Sequence, residues 1–245
     1  MEHRNACLIC GRPLTYFTAK RRMTCQICGE TLFANACCEA GHFVCDSCHS
    51  RRGIRDMVDT CLREPSADPI GILNGLMQSP AVHMHGPEHH VLTGAALLTA
   101  YHNSGGRLVL ADALQEMIIR GEEVPGGSCG FWGCCGAAIS CGIFVSIVTK
   151  TDPLSRDSWG LCNLTTAKAL ERIAEIGGPR CCKRDSYLSI LATAELVEEH
   201  LGVSMTLPRR VLCGFHRRNE ECLQRDCPFF RVSAARMREK EGEGS

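Results

Sequence analysis

The sequence predicts a mainly α-helical protein: a helical core domain preceded by a small N-terminal zinc-binding module of ribbon or finger type. Three observations lead to this prediction. Apolar residues recur at helical spacing through most of residues 81–205. Cys-x2-Cys pairs crowd the first 50 residues, and the chain carries 19 cysteines among 245 residues, which is a strong excess. The hydrophobic fraction of 44% is ordinary, so the chain as a whole is expected to fold.

Composition and turn-forming residues divide the chain into four segments. Its length suits one good-sized core plus a small appendage, or two modest domains. The run Glu64-Pro65-Ser66-Ala67-Asp68-Pro69 predicts a turn or boundary, and the last residues are polar and rich in Gly and Glu. We therefore predict a zinc-binding module at 1–52, a linker at 53–80, a helical Cys/His-rich cluster-binding domain at 81–235, and a flexible tail at 236–245.

Helical periodicity predicts five helices in the main domain. Pro87 is suited to a first helical turn, Asn163 is a candidate N-cap, and glycines follow the last periodic residues at 177 and 202. Strand-type alternation does not compete in this region. The predicted helices cover residues 87–101, 109–120, 134–148, 163–177 and 184–201.

Charge and composition exclude several classes of function. Lys and Arg together number 27, as do Asp and Glu, which argues against a polybasic nucleic-acid binder. Aromatic residues make up only 5%, which argues against base-stacking RNA platforms. The longest apolar stretch, residues 137–148, is too short to span a bilayer and predicts a buried helix. The absence of a basic-then-apolar leader and the Cys-x2-Cys usage predict a reducing, cytoplasmic location without a membrane segment.

The N-terminal cysteines have the spacing of zinc ligands. Cys-x2-Cys turns let two thiolates bind one ion, and four ligands complete a tetrahedral site. Sequential and interleaved pairing both fit the spacing, Cys37 or His49 could replace one ligand, and a rubredoxin-type iron centre is an alternative. A segment this short needs the metal to fold. The predicted ligands, enough for two zinc ions, are Cys7, Cys10, Cys25, Cys28, Cys38, His42, Cys45 and Cys48.

The remaining cysteines suggest a different kind of metal site. Two Gly-rich loops, 125–136 and 177–184, each bring adjacent cysteines to a predicted helix start, where amides and the helix dipole are expected to lower thiol pKa values. Irregular spacing favours an iron–sulfur cluster of the [4Fe-4S] type over zinc. Zinc, or buried cysteines without metal, are the alternatives, and Cys141 and Cys162 fit the latter best. The candidate cluster ligands are Cys129, Cys135, Cys181, Cys182, Cys213, Cys222 and Cys227.

Four histidines fall within eight positions, 83 to 90. Neutral imidazoles bind metals or move protons, so His85, His89 and His90 are predicted to ligate an open iron or to transfer protons, with Glu88 orienting one of them. The alternative is a polar helix start with solvent-facing histidines. The basic residues near 180–184 and 209–218 are expected to offset an anionic cluster or to hold an anionic ligand.

Four strings carry a family resemblance: HGPEHH at 85–90, PGGSCGFWGCCGAA at 125–138, GGPRCCKR at 177–184, and the closing cysteines that end in CPFF at 227–230. Together they resemble the family catalogued as domain of unknown function 5714 over roughly residues 80–230. The N-terminal segment is similar to the zinc-finger-like one that often precedes this domain. The resemblance implies a setting in anaerobes beside SAM-dependent methyltransferases and radical-SAM proteins, and hence cofactor, one-carbon or sulfur chemistry.

These features support one leading hypothesis of function. It is a cytoplasmic iron–sulfur protein with a zinc module, acting in electron or sulfur transfer or in activation of a small-molecule substrate. The zinc module is expected to dock a partner protein, for example a methyltransferase or radical-SAM enzyme. One alternative is a non-catalytic zinc-only adaptor or RNA-binding module. The other is a metal-free enzyme of methyl or redox transfer, with Cys181 or Cys182 as nucleophile.

Overall fold

The computed structural model describes residues 7–230, which form a small hairpin module followed by a helical body. The mainly α fold class is confirmed. The predicted flexible tail at 236–245 lies outside the described residues. The elements are β1 (Leu14–Thr24), β2 (Thr31–Cys38), α1 (Asp46–Arg63), α2 (Pro69–Met77), α3 (His89–Asn103), α4 (Leu110–Glu122), α5 (Ser128–Phe131), α6 (Gly136–Thr149), α7 (Asp157–Ile176) and α8 (Cys182–Leu201).

The finger module, residues 7–48, is built on one antiparallel hairpin. β1 pairs with β2 from Leu14 opposite Cys38 to Thr24 opposite Thr31, and the register shifts once between Tyr16 and Arg21. Threonine and aromatic side chains favour these strands, but most of their residues are exposed, so the hairpin buries little apolar surface. Apolar burial therefore supplies little of the free energy that folds this module, as in small domains that depend on a bound metal.

Helix α3 is the centre of the helical body. Its residues from His89 to Tyr101 are all buried, because α1, α2, α4, α6 and α8 surround it. A helix that is apolar on all sides belongs inside a bundle. Small residues allow this close packing: the Gly94 amide donates to Ser140 Oγ on α6 at 2.8 Å. The core therefore fixes the start of α3, where the histidine run lies.

The segment predicted as a linker at 53–80 contributes to this core. It contains the second half of α1 and all of α2, and Met57, Leu73 and Met77 are buried in the main apolar cluster. Asp68 caps α2 by accepting from the Ile70 amide at 2.9 Å, and Pro69 occupies the first helical turn. The Glu64–Asp68 stretch is a real break between two helices, but both helices pack against α3.

The five predicted helices correspond to α3, α4, α6, α7 and α8, with one clear error. Helix α7 begins at Asp157 rather than near Asn163, and Asn163 lies inside it, donating from its side chain to the Trp159 carbonyl at 2.9 Å. Asp157 in the first turn suits the helix dipole without a side-chain cap. Within residues 7–230, no helix combines the length and apolar character needed to cross a membrane.

Two glycine-to-alanine substitutions should change stability in opposite directions. A Cβ at Gly142 would lie 3.1 Å from the Cys162 carbonyl and overlap the Thr166 side chain where α6 crosses α7, so G142A should cost about 1–3 kcal/mol. A Cβ at Gly75 meets nothing within 4 Å, so G75A should stabilise α2 by up to about 1 kcal/mol. Denaturant unfolding of both variants checks the signs; equal effects would contradict the tight α6–α7 crossing.

Candidate metal centres and ligand cavity

The eight predicted zinc ligands lie in two groups of four, and the pairing is interleaved. The ligand atoms within each group all lie within 4.8 Å of one another. Cys7 and Cys10 group with Cys38 and His42 across the hairpin, and Cys25 and Cys28 group with Cys45 and Cys48. The alternatives Cys37 and His49 belong to neither group of four.

The distances within these groups are those of ligands around one ion. Cys10 Sγ lies 3.7 Å from Cys38 Sγ, and Cys28 Sγ lies 3.8 Å from Cys45 Sγ. Thiolates bound to a tetrahedral zinc ion at about 2.3 Å are separated by about 3.8 Å. The two groups are therefore metal-binding sites in geometry as well as in residue type.

Backbone amides prepare these sulfurs to carry negative charge. The amides of Ile27 and Cys45 each donate to Cys25 Sγ at 3.4 Å. Burial tends to raise the pKa of the Cys25 thiol, but these amides outweigh it and lower the pKa to about 6. Burial raises the pKa of Cys45 in the same group to about 12. Four thiols this close cannot all ionise without a cation, which a divalent metal supplies.

Four of the seven predicted cluster ligands surround one cavity, the small cavity, between α8 and the C-terminal segment 206–230. They are Cys181, Cys213, Cys222 and Cys227. Cys181 precedes α8, while the others are held by turns and by a backbone bond from the Cys213 amide to the Phe229 carbonyl at 2.8 Å. The cavity measures about 20 Å³, room for about one water molecule.

The sulfurs at the small cavity accept the same kind of hydrogen bond as the finger sulfurs. The amide of Phe215 donates to Cys213 Sγ and that of Gln224 donates to Cys222 Sγ, both at 3.3 Å. In each case the donor lies two residues after the cysteine, as Ile27 does after Cys25. This local turn stabilises a sulfur anion and recurs where thiolates bind metals.

Two of the other predicted cluster ligands, Cys129 and Cys135, line a second, large cavity of about 620 Å³. The two Gly-rich loops and the end of α7 form its walls. Cys182 lines neither cavity, but it is within electrostatic reach of Cys135. Successive residues at a helix start point in directions about 100° apart, so Cys182 does not join Cys181 at the small cavity. The seven cysteines do not converge on one centre.

The expectation of lowered thiol pKa values at the helix starts was wrong. Burial raises the pKa of Cys181 to about 12 and that of Cys182 to about 11, and it raises the pKa of Cys135 as well. Desolvation outweighs the helix dipole at these positions. Cys181 and Cys182 are therefore protonated at neutral pH without a bound cation, which disfavours their use as metal-free nucleophiles.

Two of the predicted catalytic histidines are engaged in the core. His89 Nδ1 donates to the Gly86 carbonyl at 3.0 Å, and its Nε2 accepts from Lys183 Nζ at 2.9 Å. His89 therefore has no free nitrogen for a metal. His90 Nδ1 donates to the Val124 carbonyl at 2.9 Å, and its ring packs against Gly136 at the start of α6. Proton transfer by either residue stays a prediction.

His85 does not line the small cavity but contacts Asn219, which does. Its Nε2 is 3.2 Å from Asn219 Oδ1, and the Asn219 amide donates to Cys181 Sγ at 3.6 Å. Burial lowers the pKa of His85 to about 4, so the ring is neutral at physiological pH. Asn219, which the sequence did not single out, thus connects His85 to a candidate cluster ligand.

Glu88, the fourth predicted catalytic residue, is completely buried beside two histidines. Its carboxylate lies 3.3 Å from His83 Nδ1 and 3.3 Å from His49 Nδ1. Sequence reasoning weighed His49 only as a substitute ligand in the finger, because it directly follows Cys48. The sequence did not predict α1, so it gave no signal that His49 lies on a helix and meets Glu88.

The match to known proteins covers this helical body. A family of unknown function (DUF5714) matches residues 57–230, from the middle of α1 to the last cavity-lining segment. The chain belongs to this family. The DUF5714 region contains the small cavity, the whole histidine run and all of the large cavity's lining except Tyr16, whereas all eight predicted finger ligands precede it. The comparisons with curated proteins and with solved structures returned no match.

Proposed function

We propose that this DUF5714 protein is an iron–sulfur protein with a two-zinc finger module. The cluster is held by Cys181, Cys213, Cys222 and Cys227, and a small substrate binds beside it in the large cavity. The single observation that carries the proposal is the convergence of these four cysteines, from two separate segments, around the small cavity. The amide-to-sulfur turns at Cys213 and Cys222 support the same assignment.

The spacing of the four thiols favours a cluster over a single zinc ion. The finger shows that this chain brings single-ion ligands within 4.8 Å of one another, and among the described residues no three of these four thiols do so. An inorganic iron–sulfide core separates its thiolates more widely than one ion does. Because the small cavity holds about one water molecule, cluster binding requires the surface segment 213–227 to move outward.

Cationic side chains support an anionic centre here. Arg184 lines both cavities, and its guanidinium is held by the carbonyls of Gly177 and Pro179 at 2.9 and 3.0 Å. Its charge favours thiolate at Cys181 and Cys227, whereas the carboxylate of Asp185, which pairs with Arg184 Nε at 2.9 Å, opposes it. A cluster with four thiolate ligands carries net negative charge, which the guanidinium offsets in part.

The large cavity supports binding of a small, anionic substrate. Its volume of about 620 Å³ falls in the usual range for small-molecule sites. Arg180 reaches its wall and donates to Tyr16 Oη of the finger at 2.7 Å, so the finger helps to close it. With Arg184 between the cavities, electron or sulfur transfer from the cluster to a bound ligand is the role we propose. The family resemblance supports an anaerobic setting, and partner docking by the finger stays a prediction.

Anaerobic isolation with metal analysis tests the proposal. We expect a coloured protein with about four iron and four sulfide per chain, in addition to about two zinc, and bleaching of the visible absorption by dithionite. A colourless protein with stoichiometric zinc and no iron, even after reconstitution with iron and sulfide, would overturn the cluster. Micromolar, salt-dependent RNA binding by that colourless form would favour a zinc-only binding module.

A further inference from the structure

A third group of potential metal ligands lies between the finger and the helical body. It consists of His49, His83 and Glu88, whose ligand atoms all lie within 4.8 Å of one another. His49 is on α1 just after the finger, His83 is on the loop before α3, and Glu88 directly precedes α3. The two imidazole rings are 4.2 Å apart between centroids and are tilted by 50°. Three separate pieces of chain thus meet at this point.

Two atoms of the group are buried without a hydrogen-bond partner. They are His49 Nδ1 and Glu88 Oε2, which face each other at 3.3 Å. The side chain of Glu88 is 0% exposed. A buried carboxylate oxygen is costly unless a proton or a cation lies between it and the imidazole nitrogen that faces it. A cation between these atoms removes that cost.

We propose that His49, His83 and Glu88 bind one divalent first-row transition-metal ion, of the zinc or ferrous type. The site is distinct from both thiolate sites of the finger and from the proposed cluster, and it does not depend on either. Two imidazoles and one carboxylate are the donor set of non-haem ferrous centres and of many catalytic zinc centres. The distances of 3.3 Å from the carboxylate to each imidazole match those between neighbouring ligands on one ion.

The rings of the two histidines reach the surface, whereas the ligand atoms lie beneath it. The side chains of His49 and His83 are 22% and 30% exposed, but His49 Nδ1 and Glu88 Oε2 are buried. Three protein ligands leave a coordination position for water or a small ligand. The ion therefore joins α1 and the loop before α3 to the start of α3.

The surroundings of Glu88 hold the carboxylate in place. The His83 amide donates to Glu88 Oε1 at 2.8 Å, and Lys183 Nζ donates to the His83 carbonyl at 2.9 Å. Lys183 also donates to His89, whose Nδ1 lies 4.0 Å from Glu88. Such supporting contacts orient ligands in established metal sites.

A metal-free ion pair is the competing arrangement, and the two differ in where the protons lie. An ion pair needs a proton on Nδ1 of His49 or His83, donated toward Glu88. Metal binding needs the Nδ1 lone pairs of neutral rings to point at the ion. Only metal binding predicts that the chain takes up about one metal ion at saturation.

Equilibrium dialysis with cobalt tests the site. Full-length protein is first washed with a mild chelator that leaves about two zinc ions in the finger, then dialysed against Co²⁺, with bound cobalt and retained zinc measured by mass spectrometry. We expect about one cobalt per chain, bound at least tenfold more weakly by H83A. The matched control H102A, an exposed histidine on α3, should bind as the wild type does.

H83A is the main test variant, because the side chain of His83 is partly exposed. Substitution of the fully buried Glu88 would endanger the fold. H49A gives a second, independent variant, and circular dichroism verifies that both stay helical. Equal cobalt binding by wild type, H83A and H49A would overturn the proposal, as would no binding by the wild type. Iron and sulfide content is measured on the same samples, so failure of the cluster and failure of this site are distinguishable.

Discussion

Replacing Cys25 by serine should release one of the two finger metal ions and unfold the hairpin module. Cys25 accepts two amide hydrogen bonds, which lower the pKa of its thiol to about 6 and so favour its thiolate form. The hairpin buries little apolar surface, and structural zinc contributes about 10 kcal/mol or more to the folding of such modules. Zinc analysis and limited proteolysis of residues 7–48 measure both effects.

Cys37→Ser is the matched control for this experiment. Cys37 is adjacent to the ligand Cys38 on β2, but it belongs to neither group of four. The control should keep the full zinc content and the protease resistance of the wild type. Because the pairing is interleaved, C25S should also weaken the Cys7–Cys10–Cys38–His42 site, which shares the hairpin. Full zinc content in C25S would contradict the ligand assignment.

Replacing Cys227 by alanine should abolish the iron and sulfide content while leaving zinc in the finger. Cys227 lies at the small cavity with Cys181, Cys213 and Cys222, and a [4Fe-4S] cluster needs all four thiolates for a complete ligand set. We expect at least a tenfold loss of cluster absorption after anaerobic reconstitution. Iron, sulfide and zinc analysis of the same sample separates the two kinds of metal site.

Cys162→Ala is the control for the cluster variant. Cys162 lies on α7, is half-buried against the apolar core, and lines neither cavity. Its replacement should leave iron and sulfide content unchanged. Equal iron content in C227A and C162A would place any cluster elsewhere. The next cysteines to replace would then be Cys129 and Cys135, which line the large cavity, and Cys182, which lies near Cys135.

Local sequence was sufficient for features that depend on neighbouring residues. Cys-x2-Cys spacing identified the finger ligands because a tight turn brings such sulfurs together whatever the rest of the fold does. Helical periodicity identified α3 and α8, whose apolar and small residues recur over many turns. Helices α1 and α2 were missed, because α1 consists mostly of charged and polar residues, α2 has only nine residues, and packing against α3 stabilises both.

Tertiary structure alone decided which distant groups meet. The sequence placed Cys181 and Cys182 side by side, but the direction of each bond at the helix start sends one to the small cavity and leaves the other near Cys135. Interleaved pairing of the finger depends on the hairpin register, which spacing does not encode. The approach of His49 to Glu88 depends on how α1 packs beside α3. Turn geometry and periodicity are local properties, whereas these contacts join residues far apart in the chain, and only packing of the whole core determines them.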